Sequence, residues 1–344
     1  MTLLDEWRDT GSDVRDRDGA RSSQPATAVG RRCSASDLGG PESSIPFVPD
    51  AIAAHTCNPQ PYWCDGWFDA SCCVVRDRGS VGRTRGNSFV VTITSSDDDT
   101  VESLFGKPST WRADIISDFR LRGAELCAAA SPTPGFPVLL DSMLSALDGG
   151  PDGPWLDVGG GLGGTASWIE RTHGADVIVA DAALGSLHGA RRLFASLDIT
   201  AAHVGALPIR DASIAVAVVS GVMSLLAEPG ELFGELRRVL RPGGRVAITD
   251  LWSATAETFM QRPNTFWSLE DASALAERHG LHTEHWAVAE MATGWWSSAS
   301  MQVNDEITAR HSHDPGYASW REDLDHLDQV ITAGKVVPAG LLLG

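Results

Sequence analysis

The stretch WLDVGGGLGGTASWIERTHGADVIVADAA, residues 155–183, decides the fold of this chain. It begins with an apolar run, continues into a loop in which five of six residues are glycine, and ends in a second apolar run after a helix-like segment. One acid, Asp157, stands just before the glycines, and another, Asp181, ends the second run. A strand, a glycine-rich loop, a helix and a second strand in this order are typical of a βαβ unit that binds a ligand.

The alternation of strand-like and helix-like segments continues on both sides of this unit. Strands are predicted at 155–159, 176–181, 200–204, 213–220, 244–250, 281–289 and 335–343. Helices are predicted between them at about 163–173, 184–197, 230–240 and 268–279. This pattern predicts an α/β fold, a Rossmann-like, doubly wound, seven-stranded and mostly parallel sheet, with additional helical cap segments.

The chain divides into three parts by composition. Residues 1–96 mix Arg, Asp, Ser, Gly and Pro with few periodic apolar positions, which predicts a disordered or weakly ordered extension. Its one strand-like run is SFVVTIT, residues 88–94. Residues 97–150 are predicted to form a helical cap, and residues 151–344 the main domain, with helical lid insertions around 251–267 and 291–334.

The glycines alone leave the ligand open. Gly159, Gly161 and Gly164 satisfy the GxGxxG spacing, and Asp181 follows Gly159 by 22 residues, where a carboxylate can bind ribose hydroxyls. NAD, FAD and S-adenosylmethionine are all compatible with this pattern. Asp157 favours S-adenosylmethionine, because a carboxylate beside the loop is a poor neighbour for a diphosphate and a good one for an ammonium and a sulfonium.

Two further segments of the sequence narrow the choice among these three ligands. HVGALPIRDASIAVAVVSGVM, residues 203–223, is followed by ELFGELRRVLRPGGRVAITD, residues 231–250. Together with LDVGGGLGG these segments resemble the successive motifs of the class I S-adenosylmethionine-dependent methyltransferases, in the branch that acts mostly on small molecules. The resemblance covers about residues 135–290.

The resemblance implies a set of cofactor-binding residues. Gly159, Gly161 and Gly163 would let the backbone approach the methionine part, with Asp157 supporting the loop. Asp181 would accept the ribose hydroxyls, Ala182, Gly205 and Ala206 would flank the adenine, and Ser220 would border the methyl end. The complete set is Asp157, Gly159, Gly161, Gly163, Asp181, Ala182, Gly205, Ala206 and Ser220.

The sequence departs from the family pattern at two places. The family usually has an acid four residues before the leucine of its LP segment, and His203 stands there in this chain. The backbone of the following residues can still contact adenine. The family also often begins its fourth strand with FD, where this chain has Ile214 and Ala215.

The methyl acceptor is less marked in the sequence. Methyl transfer mainly needs the nucleophile held in line with the methyl group, so the family has no single diagnostic catalytic residue. Asp250, at the end of the fifth strand, is the candidate for a polar substrate contact, and His311, in ARHSHDPGY, is a candidate base. Tryptophans cluster in the lid segments, and we predict that Trp295 or Trp296 lines a pocket for a partly apolar or aromatic acceptor.

Charge and composition limit the remaining classes. The net charge of −18 over 344 residues offers no basic surface for nucleic acid or anionic lipid, and the expected partner is a small molecule. No metal site is predicted, although His55, Cys57, Cys64 and Cys72 keep a metal-binding alternative open. The expected location is cytoplasmic, and the oligomeric state is undetermined. A protein that binds S-adenosylmethionine without transferring methyl, a macromolecular methyltransferase and an NAD-dependent oxidoreductase remain as alternatives.

Overall fold

A computed structural model describes residues 90–91, 101–147, 152–289 and 297–344. Within these ranges the chain forms ten strands. They are β1 (Val90–Val91), β2 (Trp155–Val158), β3 (Val177–Asp181), β4 (Asp198–Ala201), β5 (Ile214–Ser220), β6 (Leu240–Ser253), β7 (Phe259–Gln261), β8 (Asn264–Phe266), β9 (Thr283–Val288) and β10 (Val336–Leu343).

Eight of these strands form one sheet in the order β1-β4-β3-β2-β5-β6-β10-β9. The pairs from β1 to β6 are parallel, whereas β10 is antiparallel to both β6 and β9. The seven strands predicted from the sequence are all present, and they form the central, mostly parallel sheet. The eighth strand, β1, comes from the strand-like run at 88–94 and adds two residues beside β4.

Nine α-helices surround the sheet in the described ranges. They are α1 (Lys107–Phe119), α2 (Gly123–Ala130), α3 (Val138–Ser145), α4 (Gly164–His173), α5 (Leu184–Leu193), α6 (Gly230–Val239), α7 (Leu269–Arg278), α8 (Ser298–His311) and α9 (Tyr317–Thr332). A π-helical turn (Glu102–Gly106) precedes α1, and a 3₁₀ turn (Met223–Leu225) follows β5. None of the described helices combines the length and the apolar character needed to cross a membrane.

The helices cover the two faces of the sheet. Side chains alternate along a strand, so Val216 and Val218 of β5 join the core shared with α1, α2, α4 and α8, whereas Ala217 and Val219 join the core shared with α6 and α7. A third, smaller core lies near the carboxyl end of β6, where Leu251 packs with residues of β8 and α9. Both faces of the sheet are therefore buried, as a doubly wound fold requires.

Two helix boundaries follow directly from local sequence. Ser268 precedes α7, and its hydroxyl accepts a hydrogen bond from the amide of Asp271 at 3.0 Å, which caps the helix at the predicted start. The helical pattern of residues 111–130, by contrast, is interrupted. Arg120 adopts the left-handed conformation with φ 53°, and the chain turns there between α1 and α2.

The prediction of a helical insertion at residues 251–267 is wrong. β6 continues to Ser253, and β7 and β8 then form an antiparallel hairpin. Pro263 lies in this hairpin, and a proline in a helix interior lacks the amide that the helix needs. The amide of Ser253 instead donates to the carbonyl of Trp267 at 2.9 Å, which closes the segment back onto the sheet.

Candidate functional site

The glycine loop connects β2 to α4 at the carboxyl end of the parallel strands. Gly161 has φ +54°, and a Cβ added there would meet nothing within 4 Å. Gly163 has φ +78°, but its added Cβ would lie 2.5 Å from Cδ1 of Leu197. A Cβ at Gly159 would likewise lie 2.4 Å from Cγ2 of Val222. Packing therefore accounts for Gly159 and Gly163, and Gly161 is the position whose bare backbone faces open space for a ligand.

Asp157 lies beneath this loop with no partner. It is 1 % exposed, and neither carboxylate oxygen takes part in a hydrogen bond. Burial, and after it the negative charge of Asp181, raise the pKa of Asp157 to about 7, while the nearby amide of Ala166 lowers it slightly. A buried carboxylate without a partner is costly. A cationic or hydrogen-bond-donating ligand above the loop would offset that cost.

Asp181 is held in place at the end of β3. Its Oδ2 accepts a hydrogen bond from the amide of Gly161 and its Oδ1 accepts one from the amide of Ala183, both at 2.8 Å. Burial raises the pKa of Asp181, and the two amides oppose that shift. Each carboxylate oxygen can accept a further hydrogen bond. The predicted role toward a ribose diol therefore fits the geometry.

The sequence reasoning missed Glu102, which lies in the π-helical turn before α1. Its two carboxylate oxygens accept from the amide of Gly185 at 3.1 and 3.2 Å, at the start of α5. Its charge also raises the pKa of Asp181. Glu102 thus brings a third carboxylate to the β3 end of the site. The contact joins residues 83 positions apart, so no local pattern could have revealed it.

A tight turn lies next to Asp181, where the adenine was predicted. The amide of Ala202 donates to the carbonyl of Asp181 at 2.9 Å, and the following turn is closed by a bond from the amide of Ala206 to the carbonyl of His203 at 3.0 Å. The Nδ1 atom of His203 accepts from the amide of Gly205 at 3.2 Å. His203 therefore supports its own turn, and Gly205 and Ala206 lie in that turn, beyond the end of β4.

Arg238 of α6 fixes the segment that follows this turn. Its guanidinium donates to the carbonyls of Leu207 at 2.9 Å and Ile209 at 2.7 Å, and also to Glu235 and Asp211. These side-chain hydrogen bonds, with Glu235 first, raise the pKa of Arg238 above its ordinary range. The RVLRPGG segment thus contributes a residue that holds the LP segment in place.

The predicted methyl end lies where β5 and β6 finish. The hydroxyls of Ser220 and Thr249 are 2.9 Å apart on these neighbouring strands. Thr133, in the loop between α2 and α3, lies directly above, since a Cβ added at Gly221 would be 3.1 Å from its Oγ1. The loop is also tied down by a 2.8 Å bond between Ser131 and Thr165 of α4. The loop between α2 and α3 therefore lies over the carboxyl ends of β5 and β6.

Asp250 is buried at the end of β6, and both of its carboxylate oxygens accept hydrogen bonds. It is 2 % exposed, and its carboxylate accepts from the amides of Ser224 at 3.1 Å and Leu251 at 2.7 Å. Burial raises its pKa to about 6 against the opposing effect of these donors. Both oxygens are thus engaged in holding the 3₁₀ turn after β5 against the end of β6. The predicted contact of Asp250 with the substrate stays a prediction.

The other predicted acceptor-side residues are only partly described. The ring of His311 stacks on that of Trp111, with centroids 4.7 Å apart, and the adjacent Asp314 is bound by Lys107 at 2.5 Å and by the amide of Gly316. Trp295 and Trp296, like the N-terminal cysteines, lie outside the described residues. Among the residues that are described, no group of His, Cys, Asp and Glu has the arrangement of a metal site.

Comparison with known proteins agrees with this geometry. A family model described as a methyltransferase domain matches residues 156–248. A demethylmenaquinone methyltransferase from Renibacterium salmoninarum is 28% identical over 141 residues, covering 41% of this chain and 59% of that protein. A malonyl-[acyl-carrier protein] O-methyltransferase from Pseudescherichia vulneris is 31% identical over 162 residues, covering 46% of this chain and 61% of that protein. The chain thus spans less than two thirds of the length of these relatives.

The solved structure of the [4+2]-cyclase SpnF has the same fold. It superposes with a TM-score of 0.51 at 17% identity, covering 67% of this chain and 93% of that one. The sheet order, the glycine loop and the acid at the end of β3 define the class I methyltransferase domain, whose cofactor is S-adenosylmethionine. The match over residues 156–248 and the shared fold thus identify in this chain a methyltransferase domain of the class I, S-adenosylmethionine-dependent type.

Proposed function

We propose that this protein transfers a methyl group from S-adenosylmethionine to a small, partly apolar or aromatic acceptor by in-line displacement. One observation carries the proposal. Asp157 is a fully buried carboxylate without a hydrogen-bond partner, directly below the glycine loop. The ammonium and sulfonium of S-adenosylmethionine are the cations that such a carboxylate favours.

The charge of the site argues against a dinucleotide. Asp157, Asp181 and Glu102 bring three carboxylates to the strand ends at which a diphosphate would have to lie. A diphosphate relies on helix amides and on the absence of nearby negative charge. The residues of this site therefore fit S-adenosylmethionine better than NAD or FAD.

Each element of the site has a distinct part in the proposed reaction. When bound, S-adenosylmethionine supplies the methyl group and a good leaving group, so the protein mainly positions the acceptor and excludes water. Asp181 would orient the ribose, Ala182 and the turn at Gly205 and Ala206 would flank the adenine, and Ser220 would border the methyl end. The loop at Thr133 closes the edge of the sheet above Ser220.

The acceptor is proposed to enter beside the small core at the end of β6. Leu251, Phe259 and Phe266 belong to that apolar cluster, and the rings of the two phenylalanines lie 5.2 Å apart. The cluster is proposed as one wall of the acceptor pocket, and Trp295 or Trp296 is proposed to line the same pocket. An apolar wall suits an acceptor that is at least partly apolar or aromatic.

Two measurements test the proposal. Calorimetry should show binding of S-adenosylmethionine and S-adenosylhomocysteine and no binding of NAD. Incubation with methyl-labelled S-adenosylmethionine and a small-molecule metabolite extract should then transfer the label to a metabolite. Binding without transfer would favour a protein that uses the cofactor for another purpose, and label on RNA or protein would favour a macromolecular methyltransferase. NAD binding without a response to either adenosyl ligand would refute the proposal.

A further inference from the structure

The two ends of helix α9 lie near opposite sides of the carboxyl edge of the sheet. At its beginning, Asp314 pairs with Lys107 of α1, and Ser109 of α1 bonds to Ser186 at the start of α5, which follows β3. At its far end the chain enters β10, where Val336 pairs with Ser253 at the carboxyl end of β6. β2 and β5 lie between β3 and β6 in the sheet.

The dimensions agree with this path. Four strand spacings separate β3 from β10, or about 19 Å. The 16 residues of α9 measure about 24 Å along the helix axis. The two ends of α9 also pack into different cores: Tyr317 and Trp320 join the core of α1 and α8, whereas Leu327 and Val330 join the core at the end of β6. The middle of α9 therefore lies above the ends of β2 and β5.

One titratable side chain interrupts the inward stripe of α9 at that middle, and a second lies close to it. Positions 320, 323, 327 and 330 follow helical spacing, and the second of them is an acid, Asp323, between Trp320 and Leu327. Burial and the neighbouring Glu322 raise the pKa of Asp323, while His326 lowers it. His326 is thus close enough to interact with Asp323, one helical turn away.

One ring nitrogen of His326 is buried without a hydrogen-bond partner. Its Nδ1 atom is shut off from solvent and has no hydrogen-bond partner. His326 is partly buried and lies near the middle of α9, the part of the helix placed above the ends of β2 and β5. A buried ring nitrogen without a partner has an open valence for a ligand that donates or accepts a proton.

We propose that His326 is the general base of the reaction and that Asp323 is its positioning residue, which selects an acceptor with an acidic hydroxyl of the phenol or enol class. This inference rests on the proposed function. The acceptor hydroxyl gives its proton to Nδ1 of His326. The acceptor oxygen forms the new carbon–oxygen bond while the methyl–sulfur bond breaks and its electron pair stays on sulfur. Asp323 stabilises the resulting imidazolium.

The test uses 4-nitrophenol as the probe, because its ionised form is yellow and its neutral form is colourless. The full chain is first saturated with S-adenosylhomocysteine, at a pH at which the free probe is mostly neutral. Absence of S-adenosylhomocysteine binding would count against the proposed function, whereas normal binding with no effect at His326 would count against this inference alone.

The wild-type protein should bind the probe in its yellow, ionised form. His326→Gln should bind it as the neutral phenol, and Asp323→Asn should reduce the ionised fraction about tenfold, because a nearby carboxylate favours the imidazolium. His285→Gln is the matched control, since that histidine is exposed on β9, and it should behave as the wild type. Thermal melting of each variant checks that it folds.

A second measurement needs no variant that might unfold. In the wild-type protein, the ring signals of His326, assigned by comparison with His326→Gln or by selective labelling, should move to the imidazolium position when the probe is added. Unchanged ring signals, or an equally ionised probe in His326→Gln, would overturn the proposal. Tight binding of benzylammonium that is lost in Asp323→Asn would overturn it too, because Asp323 would then be the receptor of a cationic acceptor.

Discussion

Asp157 and Asp250 are two buried carboxylates near the carboxyl ends of β2 and β6, and the molecule treats them in opposite ways. Asp250 gives its oxygens to two backbone amides, whereas Asp157 has none. Both have a pKa raised by burial, to about 6 and about 7 respectively. Burial alone therefore does not identify a functional acid. What distinguishes Asp157 from Asp250 is that both of its carboxylate oxygens lack a hydrogen-bond partner.

The largest effect, a loss of cofactor affinity, is expected for a variant of Asp181, which lies at the predicted ribose site. Asp181→Ala should weaken binding of S-adenosylhomocysteine at least about tenfold, because two charge-assisted hydrogen bonds of about 1.5–3 kcal/mol each are lost. Calorimetry measures this directly. Asp250→Ala is the control variant and should bind S-adenosylhomocysteine with the affinity of the wild type. Equal affinities for wild type and Asp181→Ala would show that the end of β3 does not bind the ribose.

The next effect concerns Asp157 and pH. Its folded-state pKa of about 7 lies above its ordinary value of 3.8, so the folded protein holds a proton that the unfolded chain releases. The free energy of unfolding should therefore fall as pH rises from about 4 to about 7.

Asp157→Asn removes this loss because the amide is neutral at every pH. At about pH 8 the variant should be more stable than the wild type by about 2–4 kcal/mol, and the gain should shrink at about pH 5. Urea unfolding at both pH values gives the comparison. The same variant should bind S-adenosylmethionine more weakly. A gain in stability that is independent of pH would contradict the assignment of a buried proton to Asp157.

A smaller loss of stability is expected for Asp250→Ala. The variant leaves the amides of Ser224 and Leu251 buried without an acceptor, which should cost about 1–3 kcal/mol of unfolding free energy. Denaturant unfolding measures this loss, and cofactor binding should be unchanged. If Asp250→Ala instead keeps its stability and loses methyl transfer, Asp250 is a catalytic residue. The presence or absence of hydrogen-bond partners would then not distinguish its role from that of Asp157.

The smallest effect is expected at Arg238. Arg238→Lys keeps the charge but loses the planar fork that reaches both Leu207 and Ile209, so the LP segment should exchange its amide hydrogens faster. Hydrogen exchange at Leu207 and Ile209 is the measurement. Arg245→Lys is the control, because Arg245 pairs with Glu284 at the surface and should contribute about 0–1 kcal/mol. Unchanged exchange in Arg238→Lys would show that the segment is held by its backbone.

The sequence predicted those elements of the fold whose signals lie in neighbouring residues. The apolar runs at 155–159 and 213–220 and the cap at Ser268 are short-range signals, and each is found in place. The hairpin at 259–266 was missed because a segment of mixed polarity was interpreted by analogy with helical lids, although Pro263 argued against a helix.

The parts of the site that the sequence did not reveal depend on distant contacts. Glu102 reaches Gly185 across 83 residues, and Asp250 is satisfied by the amide of Ser224, 26 residues before it. Neither the presence of a partner for Asp250 nor the absence of one for Asp157 can be deduced from spacing. The identities of the ligand-binding residues are thus easier to predict from the sequence than their state of hydrogen bonding.

The position of β10 has a consequence for how the molecule is made. β10 lies between β6 and β9, and within the described ranges β10 is the one strand that pairs with β9. During synthesis on the ribosome, the parallel strands β2 to β6 can pair as they emerge. β9 is made before its neighbour β10, and about 50 residues separate the two strands in the chain. The parallel strands that carry the predicted cofactor-binding residues can therefore pair during translation. The part of the sheet formed by β6 and β9 is complete only when β10 pairs between them, and long-range pairing of this kind slows folding.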